Sequence, residues 1–232
     1  MKMAGMQARM RPRSEPELRD FDLPGVAPSR QKRSRETTLA LLRAGAEMLR
    51  TRSLAELSIE TLCAEVGATV GAFYSRFESK EAYFNALMAL AARDGEQRLG
   101  EIRRPSPDTS LDQLCQIIVS GIVAWMRSHE GVLRATLQHD DTRPDKWTPF
   151  KALAQATTMR ATPLLLPAMG KGRKAAKARA IAFGFQVVLG TLVNAILNDP
   201  GPLSLSSKEM ETRLAGCLSL LLQAEVHQPA AR

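Results

Sequence analysis

Cysteine and histidine are both scarce in this chain, with three of each among 232 residues. Cys63, Cys115 and Cys217 stand far apart, odd in number, each within an apolar helical pattern. They argue against a disulfide framework and read as small buried residues of a reducing, cytoplasmic compartment. His129, His139 and His227 share no ligand spacing, so no metal site is expected. Uninterrupted apolar runs are only a few residues long, as at Leu164 to Leu166 and Leu220 to Leu222. No segment is therefore expected to cross a bilayer as a helix, and the basic N-terminus lacks the apolar stretch of a secretory signal. Alternating strand patterns and internal repeats are missing as well, which leaves an all-α architecture. No nucleophile motif, phosphate loop or paired carboxylates occur in a setting that supports chemistry, and His139 to Asp141 beside Trp147 reads as a surface turn. The chain is not expected to be an enzyme or to need a cofactor.

What is present is positive charge. Lys and Arg number 32 against 24 Asp and Glu, a formal net charge of +8. This points to an anionic partner, with nucleic acid first and a membrane surface second. With 44% hydrophobic residues the chain can also bury a core, in one or two domains. Residues 1–32 carry Pro12, Pro16, Pro24 and Pro28, scattered arginines and no sustained periodicity. Such a composition cannot offset its ordering entropy. It predicts a mobile basic arm that adds to DNA affinity but not to the fold.

From Ser34 a helical stripe begins: Leu39, Leu42, Ala46 and Leu49 share one face of a helix running from about 33 to 51. Ser58 is placed to cap a short helix stopped by Val66 and Gly67, with Ile59, Leu62, Cys63 and Val66 as its buried face. Thr69 caps a third helix through Phe77. Ser79 caps a fourth, with Glu78 and Glu81 suiting the positive end of its dipole. After Arg104 the stretch PSPDTS breaks the chain. Beyond it, helices are expected over 111–129, 131–139, 149–162, 177–198 and 207–225. The divisions that follow are an arm (1–32), a reading domain (33–101), a helical body (102–227) and a tail (228–232).

Two short helices joined by a tight glycine turn, supported by a longer preceding helix, predict a helix-turn-helix at about 58–77. Gly67 tolerates the positive φ that the turn needs, and Gly71 and Ala72 permit close approach to a duplex. Phe73 and Phe77, four apart, should anchor the third helix on the first, while Tyr74 and Ser75 project the other way. Thr69, Tyr74 and Lys80 are candidate phosphate donors. Val70 suits a thymine methyl; Arg76 suits a phosphate or a guanine, or merely a solvated surface. Gly71 and Ser75 complete the candidate DNA-binding set. Because Val70, Gly71, Ala72 and Ser75 offer few groups for bidentate base contacts, specificity is expected to rest partly on DNA shape.

The stretch LSIETLCAEVGATVGAFYSRFESKEAYFNAL resembles the DNA-binding region of the TetR family of bacterial transcriptional regulators. Gly67, Thr69, Gly71, Tyr74, Phe77, Lys80, Glu81 and Phe84 match that family's signature in order and spacing. The resemblance implies a homodimeric repressor, with double-stranded operator DNA as one partner and a small effector as the other. It also implies a four-helix dimer contact built from the last two helices. Phe185, Val188, Leu189, Leu192 and Ile196, with Leu214, Leu218 and Leu221, are expected there, because FGFQVVLGTLVNAIL is apolar around most of its circumference. An apolar effector is expected among helices 111–129, 149–162 and the first half of 177–198. Trp125, Met126, Met159 and Phe183 are its candidate lining, though residues of these types are more often plain core. This reading involves no membrane. Its rival is a helical interaction protein, or a membrane-surface adaptor, whose helix-turn-helix is vestigial.

Overall fold

Local side-chain chemistry starts the short helices where the sequence places them. Ser58 Oγ accepts from the Thr61 amide at 3.2 Å, Thr69 Oγ1 from Ala72 at 3.0 Å and Ser79 Oγ from Ala82 at 3.1 Å. Ser110 and Gln113 form a reciprocal capping box. The turn between the two short helices closes on Gly67 at φ +65°. The computed structural model describes Leu23, Val26 and residues 32–102, 105, 106, 108–138 and 148–227. Among these, the helices are α1 (Lys32–Met48), α2 (Ile59–Glu65), α3 (Val70–Tyr74), α4 (Lys80–Gly100), α5 (Leu111–Ser128), α6 (Glu130–Gln138), α7 (Thr148–Ala168), α8 (Lys174–Asn198) and α9 (Lys208–His227). No strand occurs among the described residues beyond one isolated bridge.

Several boundaries shift by up to three residues, α1 ending at Met48 and α8 starting at Lys174, and two differences have a clear local cause. α3 stops at Tyr74 instead of Phe77, because the Arg76 amide turns to the Phe73 carbonyl at 2.9 Å and tightens the exit. α7 continues past Thr162 through Pro163 and Pro167. Both prolines are exposed, so the carbonyls they leave without a helical donor can be met by solvent.

The head packs on an aromatic cluster. Phe73, Phe77 and Tyr83 are fully buried with ring centroids 4.9–5.2 Å apart. The Tyr83 hydroxyl donates to the Leu41 carbonyl at 2.8 Å. A Cβ at Gly45 would lie 1.7 Å from that hydroxyl, so α1 approaches α4 only because position 45 has no side chain. The arm departs from its expected detachment. Leu23 is 3% exposed within this core, and Val26 forms an antiparallel bridge with Phe77. The rest of the arm, like the tail and the His139 to Trp147 turn, lies outside the described residues.

α4 belongs to both halves of the molecule. Its first turns bury Tyr83, Phe84 and Leu87 in the head; further along, the Ala91 carbonyl accepts from Trp125 Nε1 at 3.1 Å in the body. A second junction joins α6 to α1, where a Cβ at Gly131 would sit 2.5 Å from Leu49 backbone and Arg134 donates to the Arg50 carbonyl at 3.1 Å. In the body, α5 packs along α9, with Ser219 donating to Asp112 near one end and Arg127 donating to the Leu205 carbonyl at 2.7 Å near the other.

α8 packs against α6, α7 and α9. It is, by length and composition, apolar enough to cross a membrane, with mean hydropathy 2.0 over its best window. That overturns the expectation that no segment is. Gly184, Gln186, Gly190, Thr191 and Asn194 interrupt its apolar runs, and the average stays at 2.0 with them included. One face of α8 is core, and 39% of the window is buried.

Candidate nucleic-acid interface and effector cavity

The candidate reading surface is the outer face of α3. Thr69, Val70, Gly71, Tyr74 and Ser75 are all exposed, Tyr74 at 52%. Thr69 Oγ1 accepts a backbone hydrogen bond as cap, which leaves its own proton free to donate. Lys80 is half-buried and reaches the Ala55 carbonyl at 3.3 Å, so it starts from an anchored position. Arg76 is placed differently. Its guanidinium donates to the Ala72 carbonyl, to Ser75 Oγ at 3.1 Å, and to Ser34 at 3.4 Å (carbonyl) and 3.2 Å (Oγ). It ties α3 to the start of α1 and is not a free donor for a phosphate or a guanine.

A cavity of about 1450 Å³ opens between α4, α5 and α7, with contributions from α8 and α9. Trp125 and Met126 line it as expected. Met159 and Phe183 do not: they are 76% and 56% exposed on the outer faces of α7 and α8. α8 supplies Leu189 and Val193, from its second half and not its first. The sequence reading missed the wall made by Gly95, Arg98 and Leu99 of α4 with Ile102 just past its end, although their i, i+3, i+4, i+7 spacing was there to see.

The half-buried charges at the wall are engaged. Arg98 Nε lies 2.7 Å from Asp94 Oδ2, and His129 Nε2 lies 2.9 Å from the same oxygen. Burial pushes the Asp94 carboxyl up, but the His129 hydrogen bond and the Arg98 charge outweigh it and hold the group below its ordinary value. Glu211 pairs with Arg127 at 3.3 Å and accepts from Ser120.

The expected dimer residues fall on the wrong side of their helices. Phe185, Val188, Leu192, Ile196, Leu214 and Leu218 are buried inside the single chain; Leu189 faces the cavity; Leu221 is half-buried. The outward face carries Phe183, Gly190, Gly216, Cys217 and Leu220, the last 67% exposed. A Cβ added at Gly190 or Gly216 would meet nothing within 4 Å. Gly184 packs against Leu218, so Phe183 and Leu220 lie at one level of the α8–α9 pair.

A capped three-helix head with an exposed five-residue helix, carried on a helical body with a cavity, is a helix-turn-helix architecture. Residues 41–87 match the family described as bacterial regulatory proteins, tetR family. The match covers the head, and the body lies outside it. Among solved structures it is similar to a tetR-family transcriptional regulator from Streptomyces coelicolor, at 17% identity and TM-score 0.61, over 82% of each chain. It is also similar to a transcriptional regulator from Cytophaga hutchinsonii (13% identity, TM-score 0.57, 82% of this chain and 96% of that one). Salmonella enterica GusR gives 16% identity and TM-score 0.55, covering 84% of this chain and 100% of that one. At such identities the likeness is one of fold. No curated protein matches the sequence.

Proposed function

We propose that the chain is a dimeric repressor that binds operator DNA through α2–α3 and releases it when a small effector enters the body cavity. The observation that carries this reading is the double membership of α4. Its first turns are core of the head, and its last turns, at Gly95, Arg98 and Leu99, are wall of the cavity. A ligand that prefers one setting of α4 thereby biases the setting of the head, which is a population shift driven by differential affinity. Thr69, Val70, Gly71, Tyr74 and Ser75 supply the reading surface, with Lys80 beside it for phosphate. Dimerisation through the outward faces of α8 and α9, around Phe183 and Leu220, covers an apolar surface and sets two heads on half-sites about one helical turn apart.

The test is a gel shift against the DNA upstream of its own gene, repeated across salt. If the two heads neutralise about six to ten phosphates, affinity falls about 10³- to 10⁵-fold between about 50 and 200 mM salt. A flat salt response, or no shift, refutes the DNA reading and leaves the helical adaptor.

A further inference from the structure

Resting on the effector reading of the cavity, we propose that its ligand is a large uncharged lipophile, and that the bare backbone at Gly121 sets the bulk it admits. The size argument comes first. At about 1450 Å³, the cavity exceeds the roughly 300–1,000 Å³ usual for drug-sized ligands. The wall argument follows from α5. Ile117, Gly121, Ala124 and Ser128 recur at i, i+4, i+7 and i+11, all on the cavity and all accessible, Ile117 at 60%. Three of the four are small. A Cβ added at Gly121 would meet nothing within 4 Å, so the backbone there borders open space.

The charge argument excludes ionic ligands. Arg98 and Glu211, the half-buried charges on the wall, are each already paired, with Asp94 and Arg127. No buried side-chain polar atom among the described residues lacks a hydrogen-bond partner. An ionic group taken into this space would lose its hydration and find no free counter-charge. Lys151 and Glu101 also line the cavity, but both are exposed and of opposite sign. A charged head placed beside either gains only a screened surface interaction.

The test is a fluorescence titration of the full-length protein with 1-octanol, 1-decanol and 1-dodecanol, and with decanoate and decylammonium below their micellar concentrations. Trp125 on the wall serves as reporter. Affinity is expected to rise about three- to four-fold per added methylene along the alcohols, and 1-decanol to bind at least about ten-fold more tightly than either ion. Gly121→Leu is expected to weaken 1-decanol about ten-fold without lowering the melting temperature, because it removes a mid-helix glycine. Gly121→Ala should fall between it and the parent. An ion that binds as well as the alcohol, an affinity independent of chain length, or a Gly121→Leu protein that binds like the parent overturns the proposal. A gel shift with 1-decanol separates the two readings: ordered binding with operator affinity unchanged leaves the ligand class standing and removes the effector role.

Discussion

Leu23 gives the most direct test of how the head is held together. It is 3% exposed in the hydrophobic core, three residues before the Val26 bridge to Phe77 just past α3. Truncating a core leucine to alanine typically costs about 2–5 kcal/mol. Here the loss has a ceiling, because the arm can detach instead of preserving a hole. Fixing its backbone opposes docking by roughly 1–2 kcal/mol per residue, so its net contribution sits at the low end. Leu23→Ala is therefore expected to cost about 2 kcal/mol, a fall in Tm of about 4–8 °C for a chain of this size. Calorimetry of three truncations makes the point sharper. Removal of residues 1–22 should leave the melt unchanged, while removal of 1–30, or Leu23→Ala alone, should lower it by the same few degrees. If the protein without residues 1–30 melts with the intact chain, Leu23 contributes nothing to the fold, and the arm is the loose tether that its prolines suggest.

The two faces of the C-terminal helices separate fold from assembly: Leu220→Glu should yield a folded monomer by sedimentation with operator binding lost, whereas Leu192→Glu, with its parent side chain fully buried in one chain, should lower stability by several kcal/mol. In the head, Tyr74→Phe and Lys80→Ala should weaken binding to all DNA sequences alike, since phosphate contacts carry no direct base information. Arg76→Ala should instead lower Tm, by about 1 kcal/mol of stability for its lost hydrogen bonds, with the salt slope of DNA binding unchanged. The Asp94 carboxyl is held below its ordinary value, so its contribution to stability is complete above the usual carboxylate range and is lost as pH falls through its folded value. Acid unfolding of Asp94→Asn should lack that limb, and a parent-like acid profile would refute the assignment.

What the sequence makes legible here is what neighbouring residues decide. Ser58, Thr69 and Ser79 cap helices three residues onward, and Phe73 and Phe77 share a face because four residues make one turn. Whatever depends on a distant partner stayed hidden. Arg76 reads as a free cation until Ser34, 42 residues away, is found beside it. Leu23 and Val26 stand among prolines, with no period to announce that the first is buried and the second bridges to Phe77. The error over Leu192 and Phe183 has another origin. A helix apolar on all sides carries no moment to say which side is inward, and that choice is made by where Leu218 and Leu222 stand against Gly184.

The two junctions between head and body also constrain how an effector signal can travel. At one, α4 is tied to α5 and its C-cap by Trp125 on the Ala91 carbonyl and by His129 on Asp94. At the other, the start of α6 abuts the end of α1 so closely that Gly131 has no room for a Cβ, and Arg134 holds the Arg50 carbonyl. His129 caps α5 and immediately precedes α6, so the two ties meet at a single corner of the chain. A ligand in the cavity that moves α4 against α5 would therefore strain the α6–α1 contact as well. Close-packed contacts of this kind do not stretch smoothly; they hold or they re-form elsewhere. The head is thus expected to switch between discrete settings, with a coupling on the order of 1–3 kcal/mol between cavity and DNA. That is enough to change operator affinity by about 5- to 150-fold without any effector atom approaching the reading helix.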